Sequence, residues 1–419
     1  MDQQTVAELL CYCLGMGTDE TRVARLEQLS TADWDGVIQQ ANRHGVTPLL
    51  YRRLKTPGPG TIIPAGIMQR LQEIYLFDSA RRNMRLYHQL SKVLTALQNE
   101  DIPVIALKGA RLAEVVYGDI ALRPMDDVDL LVRKTDLSRV EGKLLEVGYG
   151  PLERPSIEEQ CRKAQHLVGF TKPDAFGIEI HWTIENPTSP FKIDVDGLWE
   201  RARPAIIAGV EVLALSPEDL LLHLCLHASF HHKFRIRLRS FCDISETVQH
   251  YRDEMDWEQV QLRAHQWGTG KYVYLTLHLA RELLGAAVPD EILDTLRPDD
   301  FDLQVVAGAR ERIFSDRDST ADASSLSPNL AQLWGPRRLQ DKAILLLKSA
   351  FPSPEVMAQM YPALPDSKRI YLYYPVRLKD LLLRYGRAAW RLLRRDEEML
   401  ALAKREKEKT ALRDWLASA

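Results

Sequence analysis

The stretch "LRPMDDVDLLVRK", Leu122 to Lys134, sets three aspartates, Asp126, Asp127 and Asp129, against an apolar run, Leu130-Leu131-Val132. The alternation predicts a strand over 127–132 that enters a core. On a strand, neighbouring side chains point to opposite faces, so Asp127 and Asp129 share one face and Val128 takes the other. Like charges that close raise each other's pKa unless something positive stands between them. The stretch therefore predicts both a core strand and a cationic ligand at its start.

Downstream, "GIEIHW" (177–182) repeats the alternation, with Glu179 and His181 on one face and Ile178, Ile180 and Trp182 on the other. If the two strands are neighbours, Asp127, Asp129 and Glu179 converge. A divalent cation is the counter-charge such a cluster calls for. Hard oxygen ligands suit Mg²⁺, which keeps several waters and binds substrate phosphates. Two such ions can clamp the attacking and leaving oxygens of a phosphoryl displacement. Upstream, "PVIALKG" (103–109) reads as a short strand ending on Lys108-Gly109, followed by the helical "ARLAEVVYGD". Glycine at that junction lets a ligand approach the backbone, and helix N-terminal N–H groups favour phosphate. Lys108 and Arg123 add positive charge for the same phosphates.

The rest of the chain frames this unit. Residues 1–100 read as an N-terminal helical region, with a cap signal at Ser30/Thr31 and a break at "PGPG" (57–60). Residues 101–215 read as the α/β core, including a hairpin from "HLVGFTKP" and "GIEIHWTI" and a strand at 210–216. Residues 216–314 return to helical periodicity from Ser216-Pro217, and 315–419 form a C-terminal helical region that opens on a polar loop (315–329). The expected class is α+β, a small mixed sheet flanked by helices.

Bulk properties exclude several functions. A net charge of −3 over 419 residues argues against a nucleic-acid-coating protein. Cys11, Cys13, Cys161, Cys225 and Cys242 have no zinc or disulfide spacing, which fits reduced thiols in the cytoplasm. There is no signal-peptide pattern at the start, and no window reaches the ~18 uncharged apolar residues of a membrane span. One segment is locally basic. In "RLKDLLLRYGRAAWRLLRR" (377–395), seven Lys/Arg stand against Asp380 beside an apolar stripe. Packing on the protein's own helices is the preferred reading, and weak contact with a membrane or an acidic partner is the other.

His223, His227 and His231 fall at i, i+4 and i+8 on one helix face. A stripe spanning two turns rarely converges on one ion, so a zinc hydrolase is the weaker reading. The plain reading is a helix that lines a cleft or packs on the α/β unit with its histidines hydrogen-bonded, and a third has His227 or His231, with Asp243, facing the active site and holding the acceptor or a phosphate.

The ordered pattern "LKGARLAEVVYGDIALRPMDDVDLLV", then "HLVGF", then "GIEIHW", resembles the uncharacterised nucleotidyltransferases of the DNA polymerase β-like superfamily. Family members carry K-G, then R-x-x-x-D-x-D-L-L-V, then E-x-H-W. Here these are Lys108-Gly109, Arg123, Asp127-Val128-Asp129 and Glu179-Ile180-His181-Trp182. The likeness extends to "ANRHGVTPLL", "LLHLCLHASFHH", "CDI" and "FPSPEVMAQMYP", so it covers most of the chain. It implies a polymerase β-like core in which Asp127, Asp129 and Glu179 are catalytic metal ligands for two Mg²⁺. Lys108, Gly109, Ala110, Arg123 and His166 would contact the NTP phosphates or the acceptor. Ala110 stands where the superfamily's phosphate loop usually carries Ser or Gly. The implied reaction moves an NMP group from an NTP such as ATP to a hydroxyl of an acceptor, which could be a sugar, another small molecule, a peptide or a protein; RNA is disfavoured. The rival reading is a nucleotide-binding scaffold on the same fold without turnover.

Overall fold

The computed structural model describes residues 2–15, 26, 28–55, 63–153, 155–315, 350–362, 367–381, 394 and 397–418. The chain divides into two compact units, Met1–Asp300 and Phe301–Ala419.

The first unit opens with helices. α1 (Gln3–Leu14) is capped by Asp2, whose side chain accepts from the Thr5 N–H. α2 (Thr31–His44) starts in a full capping box between Ser30 and Asp33 and stops at left-handed Gly45, as such residues favour. α3 (Thr47–Lys55) follows. α4 (Ala65–Glu73) runs through a π-helical turn (74–80) into α5 (Arg81–Gln98). The long helical pattern expected there is thus one rod with a widened turn, not a uniform α-helix. α5 buries Leu86, Leu90, Val93, Leu94 and Leu97, the 3.6-residue stripe that lets it lie on the sheet.

The sheet has seven strands. β1 is Val104–Ala106, and β2 is Asp127–Val132, the span the sequence predicts. Between them α6 (Lys108–Arg111) continues as a π turn to Val116. α7 (Leu137–Glu146), β3 (Gly150–Pro151), α8 (Ile157–Lys163), β4 (Phe170–Thr171) and β5 (Gly177–His181) come next. After α9 (Val195–Glu200), the hairpin of β6 (Arg203–Ile207) and β7 (Val210–Ala214) completes the set. The spatial order is β3-β4-β5-β2-β1-β7-β6. β2 runs parallel to β5 and antiparallel to β1, and β7 lies parallel to β1. The fold is α+β with a mixed sheet.

Alternation divides the faces of the central strands. Val128, Leu130 and Val132 of β2 join Ile178 and Ile180 of β5 and the α5 stripe in one buried cluster. Burying each such side chain contributes about 1.5–3 kcal/mol. Asp127, Asp129 and Leu131 take the opposite face. α10 (Pro217–Leu226) begins where Ser216 accepts from the Asp219 N–H, and it passes into a π turn through His231. α11 (Arg239–His250), α12 (Trp257–Gln266), α13 (Gly270–Leu284) and α14 (Asp290–Leu296) finish the unit.

In the second unit, α15 (Leu303–Phe314) lies against α17 (Glu397–Ala417), with α16 (Pro354–Met360) between them in sequence. Gly308 has to be glycine, because a Cβ there would sit 2.2 Å from the Glu408 carbonyl oxygen. In α17, Leu412 and Trp415 are buried. The polar loop beyond Ser315, the "PGPG" break and most of the basic stretch 377–395 lie outside the described residues; of that stretch, 377–381 is helical. No helix among the described residues is long and apolar enough to cross a membrane.

Candidate active site

The three aspartates of the opening stretch meet three different fates. Asp126 points outward, 2.7 Å from Arg82 and 4.0 Å from Arg237. Asp127 begins β2 with its Cα opposite Gly177, and the residue is exposed. Asp129 is opposite Glu179 in the parallel β2–β5 ladder and is 7% exposed. Parallel neighbours about 4.8 Å apart present side chains to the same face at each matched position. The pairing predicted for the two acidic strands is therefore present for Asp129 and Glu179.

His181, two residues after Glu179, shares that face. Its Nε2 lies 3.0 Å from Asp129 Oδ1 and 3.5 Å from Glu179 Oε2. One ligand atom from each of Asp129, Glu179 and His181 falls within 4.8 Å of the others. That group, and not the set Asp127, Asp129 and Glu179, has metal-holding spacing among the described residues. Asp127 is still electrically part of it. Desolvation first, then the charges of Asp129 and Glu179, push its carboxyl above the usual range. The donor set fits a hard divalent cation: two carboxylates side by side, a third adjacent and repelled by them, and an imidazole at their edge.

Lys108 supplies the positive charge the opening stretch demanded. Its Nζ is 3.4 Å from Asp129 Oδ2. Burial alone would raise the Asp129 pKa, but Lys108 and His181 hold it well below the carboxylate range. The hydrogen bond to His181 is the main reason Glu179 is also low. For His181 itself burial opposes the charged form, and its bonds to Asp129 and Glu179 overcome this and raise its pKa. Lys108 has φ +21°, a backbone setting that costs a non-glycine residue about 1–3 kcal/mol and concentrates at functional sites.

Gly109 has a steric reason to lack a side chain. An added Cβ would stand 3.1 Å from Met125 Sδ and 3.2 Å from Arg123 Nη1. Ala110 is buried, and its carbonyl accepts from the Tyr87 hydroxyl at 2.7 Å. Arg123 is also buried, and it is committed elsewhere: Nε and Nη2 donate to the two oxygens of Asp243 at 2.8 Å each. Tyr117 adds a third bond to Asp243 at 2.9 Å. Of the Arg123 nitrogens, Nη1 is the one turned to Gly109. Asp243 is thus an organising residue that periodicity alone does not reveal; the signal was the "CDI" element at 242–244.

His166 forms a bridge with His181 across the hairpin, and its Nε2 is 4.0 Å from Glu179. The histidine stripe does not behave as a set. His231 Nε2 reaches the buried Glu185 at 3.0 Å. His227 Nε2 is 3.2 Å from that of His232. His223 is 4% exposed with neither ring nitrogen partnered. A π turn runs from His227 to His231, and those two rings lie 6.1 Å apart.

No curated protein matches the sequence. Two solved structures of the antibiotic-resistance factor ANT(2'')-Ia are similar to part of it at 15% identity. The solution structure aligns over 47% of this chain and 97% of its own, with a TM-score of 0.33. The crystal structure with adenylyl-2''-tobramycin aligns over 43% and 95%, with a TM-score of 0.32. The sequence model of one family, described as "Uncharacterised nucleotidyltransferase", matches residues 30–285, more than half of the chain. The sheet with its acidic strands and helices α2 to α13 fall within that match, and the protein belongs to the uncharacterised nucleotidyltransferase family.

Proposed function

We propose that this protein is a Mg²⁺-dependent nucleotidyltransferase that moves an NMP group from an NTP, ATP among the candidates, to a hydroxyl of an acceptor, with pyrophosphate leaving. The observation that carries the reading is the register of Asp129 with Glu179 beside Lys108, in a chain of this family. Asp129 and Glu179, with Asp127 adjacent, would hold Mg²⁺, which when bound neutralises triphosphate charge.

The chain's own groups have separable tasks. Lys108 and the N–H of Gly109, at the start of α6, bind phosphate oxygens, and Ala110 keeps the backbone donor without adding a hydroxyl. Arg123 acts through Nη1 and through the field of its pair with Asp243. Glu179, kept ionised, accepts the proton of the acceptor hydroxyl. His181 fixes the orientation of both carboxylates, and His166 stands at the rim where the acceptor enters. Such a site works by positioning and charge complementarity more than by covalent chemistry. We assign the helices of 1–100 and 216–300 as walls of the acceptor pocket around the 101–215 core. The cytoplasm, where NTPs are abundant and the five free, buried cysteines stay reduced, is the fitting compartment.

One observation favours the scaffold alternative. His181 and Lys108 already partner Asp129, so that carboxylate is held without a cation. The two readings separate with α-labelled NTPs, Mg²⁺ and pools of sugars, peptides and proteins as acceptors. Transfer of label with pyrophosphate release in the parent, and none in Asp129→Asn, supports the enzyme. Calorimetric NTP binding with no transfer to any acceptor supports the scaffold.

A further inference from the structure

Away from the acidic cluster, α5, the 108–116 helix and the β6–β7 hairpin enclose an open groove of about 930 Å³. Its lining is mainly apolar, including Val104, Val115, Ala205, Ile206 and Val212. Arg111 lines it as well. This guanidinium is 8% exposed, and its Nε has no hydrogen-bond partner. The contact it makes is from Nη2 to the hydroxyl of Tyr251. No carboxylate pairs with Arg111 among the described residues, and the charge of Arg203, of the same sign, opposes its own. Asp101 and Glu211 are also on the groove but are exposed, and neither pairs with it.

Arginine cannot shed its proton inside a protein. A buried guanidinium without a carboxylate therefore keeps much of its desolvation penalty. Elsewhere in this chain the same problem is solved with carboxylates: Arg123 has Asp243, and Arg263 has Asp219 and Glu218. At Arg111 the protein supplies only a phenol and an apolar trough leading to it. We propose that this groove is a binding site for a small amphiphile with one oxyanion head, the head paired with Arg111 and the apolar body lying along Val115, Ala205 and Val212. Carboxylate and phosphate monoester heads share the required chemistry, since either can meet the guanidinium fork with two oxygens.

The full-length protein is titrated by calorimetry with octanoate, octyl phosphate and octanol. Saturable binding of at least one anion at one per chain is expected, at least tenfold tighter than octanol, and the better of the two identifies the head. Arg111→Met, which keeps the length and removes the charge, should weaken that anion at least tenfold and leave octanol unchanged. Ile206 is 61% exposed, so Ile206→Glu tests the same groove with little demand on folding. It should weaken the anion severalfold by placing a like charge beside it. The proposal is overturned if neither anion saturates, if octanol binds equally well, or if both variants bind the anion as the parent does.

Discussion

Two neighbouring charge clusters are built on opposite terms. In the Arg123–Asp243 pair, one guanidinium meets one carboxylate through two bonds of 2.8 Å, and Tyr117 takes a further lone pair. Charge, geometry and hydrogen bonds are matched. Around Asp129 the terms do not match: Asp127, Asp129 and Glu179 share their space with one lysine and one histidine. The repulsion is visible in Asp127, whose carboxyl is pushed up while Asp129 and Glu179 are pulled down. A matched buried pair fixes architecture, whereas pKa values driven apart among neighbouring acids are how sites hold cations or move protons. If the comparison is right, losing a charge at the mismatched cluster should abolish chemistry and spare the fold. Losing one at the matched pair should do the reverse.

The largest effect is expected at Asp129→Asn. The amide keeps the size of the side chain and can still bond His181, but it removes the charge at the centre of the cluster. NMP transfer should fall at least roughly a thousandfold, ~4 kcal/mol of transition-state stabilisation. Far-ultraviolet circular dichroism should be unchanged. Transfer at the parental rate would place the reacting centre elsewhere.

Asp243→Ala attacks the other side of the comparison. It leaves Arg123 buried with no counter-charge and strands the Tyr117 hydroxyl. Denaturant unfolding should show a loss of about 3 kcal/mol. A loss below roughly 0.5 kcal/mol, the scale of an exposed pair, would mean that the pair is solvated and organises nothing.

Gly109→Ala lies where the two clusters touch, because its new methyl meets Arg123 Nη1 on one side and Met125 on the other. Overpacking of this kind costs about 1–3 kcal/mol. NTP affinity should weaken along with stability, since the α6 N-terminus has to shift. A stability loss with unchanged NTP binding would separate Gly109 from the phosphate site.

The sequence carried the acidic strands well, for physical reasons. A period of two fixes which side chains share a face, and a one-residue slip in β5 would turn Glu179 into the apolar cluster and Ile178 and Ile180 out of it, so the register was strongly specified. Partners from distant segments were less legible. Asp243 is 120 residues from Arg123, and the "CDI" element that marks it does not show which cation it meets. His181 could be read as orienting Glu179, but its closer approach to Asp129 depends on ring geometry that alternation does not set. β3 and β6 were missed: β3 is two residues long, and β6 carries Pro204 on a sheet edge, where proline is tolerated but obscures a strand pattern. For the histidine stripe, the partners Glu185 of His231 and His232 of His227 are set by tertiary geometry that helical spacing does not show.

His223 tests the comparison at its margin with the smallest expected effect. It lies deep under the cluster, buried and without a hydrogen-bond partner on either nitrogen. Burial first, then the positive charges of Lys108 and His181, hold its pKa well below 6.5. The unfolded chain therefore takes up the proton before the folded one does. Stability from this residue is present above pH 6.5 and is lost as pH falls below it, by at most about 1.4 kcal/mol per pH unit. His223→Leu removes the titration. Its unfolding free energy should change by about 1 kcal/mol less than the parent's between pH 7.5 and 5.5. An equal fall in both proteins would show that His223 is protonated in the folded state, with an acidic neighbour drawn from the cluster, and Asp129 and Glu179 would then have less charge to offer a cation than their pairing implies.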